Sequence, residues 1–275
     1  MPIKSILAAY SGDASGSGGL RLALAIARRF DAHLTGVVWH GPSDFDRRYR
    51  SYLTRDIIDM LAQRDAETVA GIRSDFEARI AAEPSAPRAR FLELKGVSDF
   101  SLAESARTYD LTVIGNRAAE VGRDHFSARP DVVALRSGRP VILVPRDYVP
   151  GGTPFGRRVL VAWDGKRAAS RALGDAMHFL QPGAEITVLT VGEEPRRGHG
   201  DDVITLLGRH GIAARRMIRP PSRGTSATIL AAATEAGADL LVMGAYEHSK
   251  FAEDLLGGVT QDMLTRANLP VLMSH

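Results

Sequence analysis

Short, almost wholly apolar runs punctuate the chain, each followed by a stretch with helical spacing. In the first half they lie at Lys4 to Tyr10, His33 to Trp39, Arg88 to Lys95, Leu111 to Ile114 and Val141 to Val144. In the second they lie at Arg158 to Trp163, Glu185 to Val191, Ala213 to Ile218, Asp239 to Met243 and Pro270 to Met273. Runs that are apolar throughout, rather than alternating, predict parallel strands covered on both faces and joined by right-handed crossovers. Between them, Leu20, Leu22, Ala23, Ile26, Ala27 and Phe30 share one helical face, and further helical patterns fall near Ala168 to Leu180, Asp201 to His210, Ala227 to Ala236 and Val259 to Arg266. The pattern is that of an α/β protein.

The two halves repeat. Ile6-Leu-Ala-Ala-Tyr-Ser11-Gly12 matches Val159-Leu-Val-Ala-Trp-Asp164-Gly165, and Asp110-Leu-Thr-Val-Ile-Gly115 matches Asp239-Leu-Leu-Val-Met-Gly244. Arg139-Pro-Val-Ile-Leu-Val-Pro145 likewise matches Leu269-Pro-Val-Leu-Met-Ser-His275. The Pro- and Gly-rich stretch from Tyr148 to Phe155 reads as a linker, which sets units at residues 1–147 and 156–275 with the boundary near Gly152. The main asymmetry is Phe45 to Ala82, where Tyr49, Leu53, Ile57, Leu61, Val69, Ile72, Phe76 and Ile80 predict a long helix with Gly71 as a point for a bend. Its stripe is expected to pack on its own sheet, with a grip on a protein partner or dimer mate as the alternative.

Composition narrows the function classes. With 275 residues, 44% hydrophobic and 24% charged, the chain can bury two ordinary cores. It has no cysteine, which removes disulfides, thiolate metal sites and cysteine nucleophiles and permits a reducing compartment, so the expected location is cytoplasmic. The opening residues carry only a brief apolar run, too short for a signal peptide or a membrane span. Net charge is +3 from 35 basic and 32 acidic residues, and the clusters Arg47-Arg48-Tyr49-Arg50, Arg196-Arg197 and Arg215-Arg216 read as solvated faces, so no nucleic-acid partner is expected.

Candidate chemistry gathers where strands end. Ligands of open parallel sheets sit beyond the carboxyl ends of the strands, at the point where strand order reverses. In the second half those ends offer Asp164, an acceptor for a ribose or base or else a turn residue; Val191, with backbone groups for an adenine; and Gly244 with Gly257, Gly258, Val259 and Thr260. Glycines at a helix start let backbone amides approach an anion, so the last group reads as a phosphate cradle to which Thr260 adds a hydroxyl. One nucleotide spans all three. In the first half, Ser11 stands where Asp164 stands, the loop after Gly115 lacks spaced glycines, and no nucleotide is expected. The loop holding Gly12, Gly16, Gly18 and Gly19 lacks a phosphate-binding lysine and reads as a flexible connection. Arg117, Arg123 and Arg129 are solvated or bind another anion, and His248 is the histidine nearest the cradle. No helix-spaced metal pair, nucleophile elbow or paired carboxylates stand out, so catalysis has little support.

Over nearly its whole length the chain resembles the universal stress protein family as two tandem domains, through Val159 to Gly165, Asp239 to Gly244, Leu256 to Thr260 and Leu269 to Leu272. The resemblance implies a Rossmann-like fold of two open five-stranded parallel sheets with helices on both faces, paired as an intramolecular pseudo-dimer that can pair again as a homodimer. Some members bind ATP, with Mg, and some do not. Binders carry G-x-x-G-x9-G followed by Ser or Thr; here Gly244 and Gly257 fill the first and third glycine positions, Glu247 stands at the second, and Gly258 replaces the hydroxyl residue. The resemblance carries adenine and ribose contacts to Asp164 and Val191, and phosphate contacts to Gly244, Gly257, Gly258 and Thr260. It leaves three functions open: a regulator binding ATP or another adenine nucleotide in its C-terminal domain, an adaptor that binds no nucleotide, and a slow ATPase using Glu247.

Overall fold

The computed structural model describes residues 3–41, 48–85, 87–95, 101–116, 128–151, 155–193, 202–245 and 258–275. The first half runs β1 (Ser5–Ala9), α1 (Ala14–Phe30), β2 (His33–His40), α2 (Arg55–Ala81), β3 (Ala89–Lys95), α3 (Ser101–Ala106), β4 (Leu111–Gly115), α4 (Pro130–Arg136) and β5 (Val141–Val144). The second runs β6 (Arg158–Ala162), α5 (Arg167–Ala176), β7 (Glu185–Val191), α6 (Val203–Arg209), β8 (Ala213–Arg219), α7 (Thr225–Glu235), β9 (Leu240–Gly244), α8 (Gly258–Arg266) and β10 (Val271–Ser274). The apolar runs therefore become the strands, within a residue or so at each end.

Each half is a parallel sheet of the expected α/β kind, and the two join edge to edge into one ten-stranded sheet, ordered β3-β2-β1-β4-β5-β10-β9-β6-β7-β8. The seam is the antiparallel pairing of β5 with β10, where Leu272 faces Ile142. One face of the sheet buries α1, the C-terminal half of α2, α5 and α6. The other buries α3, α4, α7 and α8. Arginines staple the seam from outside it: Arg29 donates to the carbonyls of Phe155, Phe179 and Leu180 at 3.1, 2.8 and 2.6 Å, and Arg171 donates to Gly138 O at 2.8 Å. Burial pulls the Arg29 guanidinium down from its ordinary pKa.

A repeated aspartate ties the central strand of each half to its neighbour. Asp110 accepts from the backbone N–H of Lys4 and Ser5 at 2.9 and 3.0 Å. Asp239 accepts from Gly156, Arg157 and Arg158 at 2.7, 3.1 and 2.7 Å.

Two expectations change. The Gly/Ser-rich stretch is not a flexible connection: Asp13 caps α1 by accepting from Gly16 N at 2.7 Å, and Gly16, Gly18 and Gly19 are helical. A Cβ on Gly18 would meet Pro145 O at 2.8 Å, and one on Gly19 would meet Gly115 N at 3.1 Å, so these glycines let the helix lie against the ends of β4 and β5. The long helix packs over only part of its length. Val69, Ile72 and Phe76 are buried, with Phe76 filling the space a side chain at Gly36 would take, 2.4 Å from its ring. Tyr49, Tyr52, Ile57 and Met60 near its start are exposed. The helix runs unbroken through Gly71.

Candidate functional site

Among the described strands, order reverses once in each half, between β1 and β4 and between β6 and β9. In the second half the β6–β9 ladder ends at Ala162 and Met243, and the β6–β7 ladder at Ala162 and Leu189, followed by a bond from Trp163 N to Leu189 O at 2.8 Å. Asp164 and Val191 therefore both lie two residues beyond the last ladder pair, at the mouth of the crevice. Asp164 is half-exposed and forms a turn: its Oδ1 accepts from Lys166 N at 3.0 Å, while Oδ2 lies 4.0 Å from Lys166 Nζ. The turn role expected for this residue is seen; its second carboxylate oxygen faces a long ion pair. Val191 is partly buried and holds the rim through β8, with Gly192 N donating to Arg219 O at 2.8 Å.

Gly244 ends β9, and its lack of a side chain is already required by packing. A Cβ there would come within 2.6 Å of Ala169 N and 2.7 Å of the Ala168 carbonyl carbon, the first turn of α5. Ala245 continues the edge, its N–H donating to Ser274 O at 2.9 Å while its carbonyl lies 2.9 Å from His275 Nδ1. Helix α8 is set by Met263 in the core and by Ser226 Oγ, which donates to Asp262 Oδ2 at 2.6 Å. Its first residue, Gly258, is exposed, with no atom of the described residues within 4 Å of where a Cβ would stand; Val259 is partly buried, and Thr260 is 5% exposed, one turn ahead of Met263. Gly257, Glu247 and His248 lie outside the described residues, so Gly258, Val259 and Thr260 represent the cradle here.

The corresponding cleft in the first half is lined by Tyr10, Ser11, Gly16, Trp39, Ile114 and Gly115 among others. The acid missing at Ser11 stands two residues on, where Asp13 both caps α1 and accepts from Ser11 Oγ at 2.9 Å. Tyr10 is buried and donates to Asp75 on α2; burial, then this bond, raises the phenol's pKa. At Asp75 burial pulls upward, but the bonds from Tyr10 and Arg79 outweigh it and hold the carboxyl below its ordinary value. Trp39 Nε1 is buried with no hydrogen-bond partner among the described residues, a feature invisible in the residue order. Of the arginines considered for another anion, Arg129 pairs with Asp131 at 3.0 Å, and Arg117 and Arg123 lie outside the described residues.

The family model described as Universal stress protein family matches residues 222–275, from just before α7 to the end of β10. A universal stress protein from Archaeoglobus fulgidus superposes over 98% of this chain and 95% of its own, with a TM-score of 0.69 and 18% identity. The fold is that of the universal stress proteins. A Pseudomonas aeruginosa protein assigned to the same family covers 99% of this chain and 93% of its own, with a TM-score of 0.56 and 17% identity. A universal stress protein in complex with cAMP aligns with 52% of this chain at a TM-score of 0.38 and 20% identity, too slight a likeness to place a ligand. No curated protein matches the chain in sequence. The matched segment contains β9, α8 and β10, so the universal stress protein signature and the candidate cradle coincide in the second half.

Proposed function

We propose that the chain is a universal stress protein-like regulator that binds ATP or another adenine nucleotide in its second unit, residues 156–275, while the first unit, 1–147, serves as its packing partner. The observation that carries this reading is the position of Asp164, Val191 and Gly244 at the carboxyl ends of β6, β7 and β9, around the reversal of strand order between β6 and β9. The residues fit such a ligand. Asp164 keeps one carboxylate oxygen for a ribose hydroxyl, the backbone beyond the β6–β7 ladder at Val191 suits an adenine edge, and Gly258, which adds no side chain, would admit a phosphate to the first amides of α8. A bound triphosphate would bring its own Mg. The cytoplasm is the proposed setting, as a chain without cysteine permits.

A second reading, an adaptor acting through protein contacts, is favoured by the exposed Tyr49, Tyr52, Ile57 and Met60 near the start of α2. Denaturing freshly purified protein and analysing the supernatant separates the two. Released adenine nucleotide that disappears in Gly257→Glu supports the regulator; no released nucleotide, and no thermal shift with Mg-ATP, moves the assignment to the adaptor.

A further inference from the structure

Away from the carboxyl ends, the internal repeat has preserved an arginine on the opposite edge of each half. Arg90 on β3 donates from Nε to Thr35 Oγ1 of β2 at 3.2 Å, and Arg215 on β8 donates from Nε to Thr187 Oγ1 of β7 at 2.9 Å. The pairs occupy equivalent registers, Thr35 opposite Arg90 and Thr187 opposite Arg215. Among the described residues, neither arginine has a carboxylate partner. Each lines a cavity at the amino ends of the outer strands, about 370 Å³ beside Arg90 and about 230 Å³ beside Arg215.

The surroundings of the two seats differ in charge. The cavity beside Arg90 is lined by Lys4, His33 and Arg88, with no acid among its described lining residues, whereas the cavity beside Arg215 includes Glu185. By register, Glu185 stands where the first half has His33, and Ala213 stands where it has Arg88. Lys4 and Arg88 both lean on one carboxylate, that of Asp31, at 3.8 and 3.1 Å. Asp110, the next acid, is taken up by the backbone N–H of Lys4 and Ser5. Lys4, Arg88 and Arg90 thus stand against two carboxylates, Asp31 and Asp110, which leaves one positive charge in excess among these groups.

The first half also adds a hydroxyl. Tyr109, 6% exposed, accepts from Arg90 Nη2 at 3.1 Å, and Thr35, 3% exposed, accepts from Nε. A guanidinium has five N–H donors in a rigid fork, so two neutral acceptors fix its plane and leave further donors for a ligand. Since both hydroxyl oxygens receive a hydrogen from Arg90, their own protons must be directed elsewhere. Such protons, on two buried groups, call for an acceptor. A ligand rich in acceptor oxygens and carrying two negative charges meets the arginine fork, both hydroxyls and the excess positive charge together.

We propose that this cavity is a binding site for a phosphate-like dianion, either orthophosphate or the phosphoryl group of a small monoester, held by the exposed Arg90 seated on the buried Thr35 and Tyr109, with Lys4, His33 and Arg88 at its rim. It is separate from the nucleotide crevice, on the other edge of the first half.

Calorimetric titration of the full chain with orthophosphate, and separately with glycerol phosphate, tests it in phosphate-free buffer. Wild type binds one equivalent per chain, and Arg90→Gln weakens binding about tenfold or more, the scale of one lost charge-assisted hydrogen bond. Tyr109→Phe, which keeps the ring, weakens it less, while Arg215→Gln and Gly257→Glu leave it unchanged. Tighter binding of glycerol phosphate than of orthophosphate assigns the site to a monoester; the reverse assigns it to the free ion. No heat at millimolar ligand overturns the proposal, as does equal affinity in wild type and in both Arg90→Gln and Tyr109→Phe. Loss in Gly257→Glu alone also overturns it, by locating the phosphate at the carboxyl edge of the second half.

Discussion

The two halves hold their outer strands in different ways. In the first, an aromatic cluster reaches across β1, β2 and β3: Phe76 of α2 packs at ring-centroid distances of 5.9 Å from Tyr10 and 5.4 Å from Phe91, into the space left by Gly36. In the second, the corresponding face is closed by aliphatic side chains of α6, Val203 and Leu207, and by the ion pair of Arg216 with Asp202. The second half instead spends its close approach on Gly244, under α5. Duplicated strands thus tolerate unlike helices above them, and what the halves have kept in common lies at strand ends: the aspartates at 110 and 239, the Arg–Thr pairs and the reversal points.

The comparison predicts where each half breaks. The largest effect is expected for Phe76→Ala, which empties a ring-sized space in the first half and costs about 3–5 kcal/mol in denaturant unfolding. Met60→Ala on the same helix should change stability by less than about 0.5 kcal/mol, because that side chain is 63% exposed. Equal losses would mean that the start of α2 is buried against a second molecule. In the second half Gly244→Val should cost about 2–3 kcal/mol by forcing α5 off the sheet, since the atoms it meets are backbone. Next comes Arg29→Met, which leaves three carbonyls of the second half without their shared donor and should cost about 1–2 kcal/mol. Its signature is loss of cooperativity between the halves, read as a split transition.

The smallest effect sharpens the contrast by sign. Burial raises the Asp239 carboxyl from its ordinary 3.8 against the pull of its backbone donors, whereas Asp75 is held below the same value. A raised folded pKa stabilises fully below the unfolded value, and that stabilisation is lost as pH rises through the folded value. A lowered one stabilises above the unfolded value and is lost as pH falls through the folded value. The destabilisation by Asp239→Asn should therefore shrink from acid pH to neutrality, and that by Asp75→Asn should grow. Parallel slopes in a pH series of unfolding midpoints would refute the assigned directions.

Much of this molecule could be read from residue order. Ten apolar runs predicted the strands because a parallel strand covered on both faces has no polar period to confuse it. What escaped was decided by contacts between distant segments. Gly16, Gly18 and Gly19 look like a loop by propensity, but the approach of α1 to Pro145 and Gly115 makes glycine the residue that fits. Gly244 was legible as a glycine that matters, although only the position of α5 shows that helix packing alone requires it. Arg215-Arg216 read as one solvated cluster, yet on a strand the two point to opposite faces, one to Thr187 and the other to Asp202. Asp164 and Val191 were placed by strand ends alone and do lie at the crevice mouth. The cradle was read as Gly244 with Gly257 to Thr260, of which Gly257 lies outside the described residues, and the residue order offered no sign of the Arg90 seat because its parts come from β2, β3 and the turn before β4.

The antiparallel seam between β5 and β10 turns one half upside down relative to the other. The carboxyl ends of the second half and the amino ends of the first therefore point the same way across the shared sheet. Along it, β6 and β2 are separated by six strand spacings in the sheet order, roughly 29 Å at about 4.8 Å each. The two proposed sites, the crevice of one half and the basic cavity of the other, would therefore open in the same direction, an arrangement that a single half does not offer.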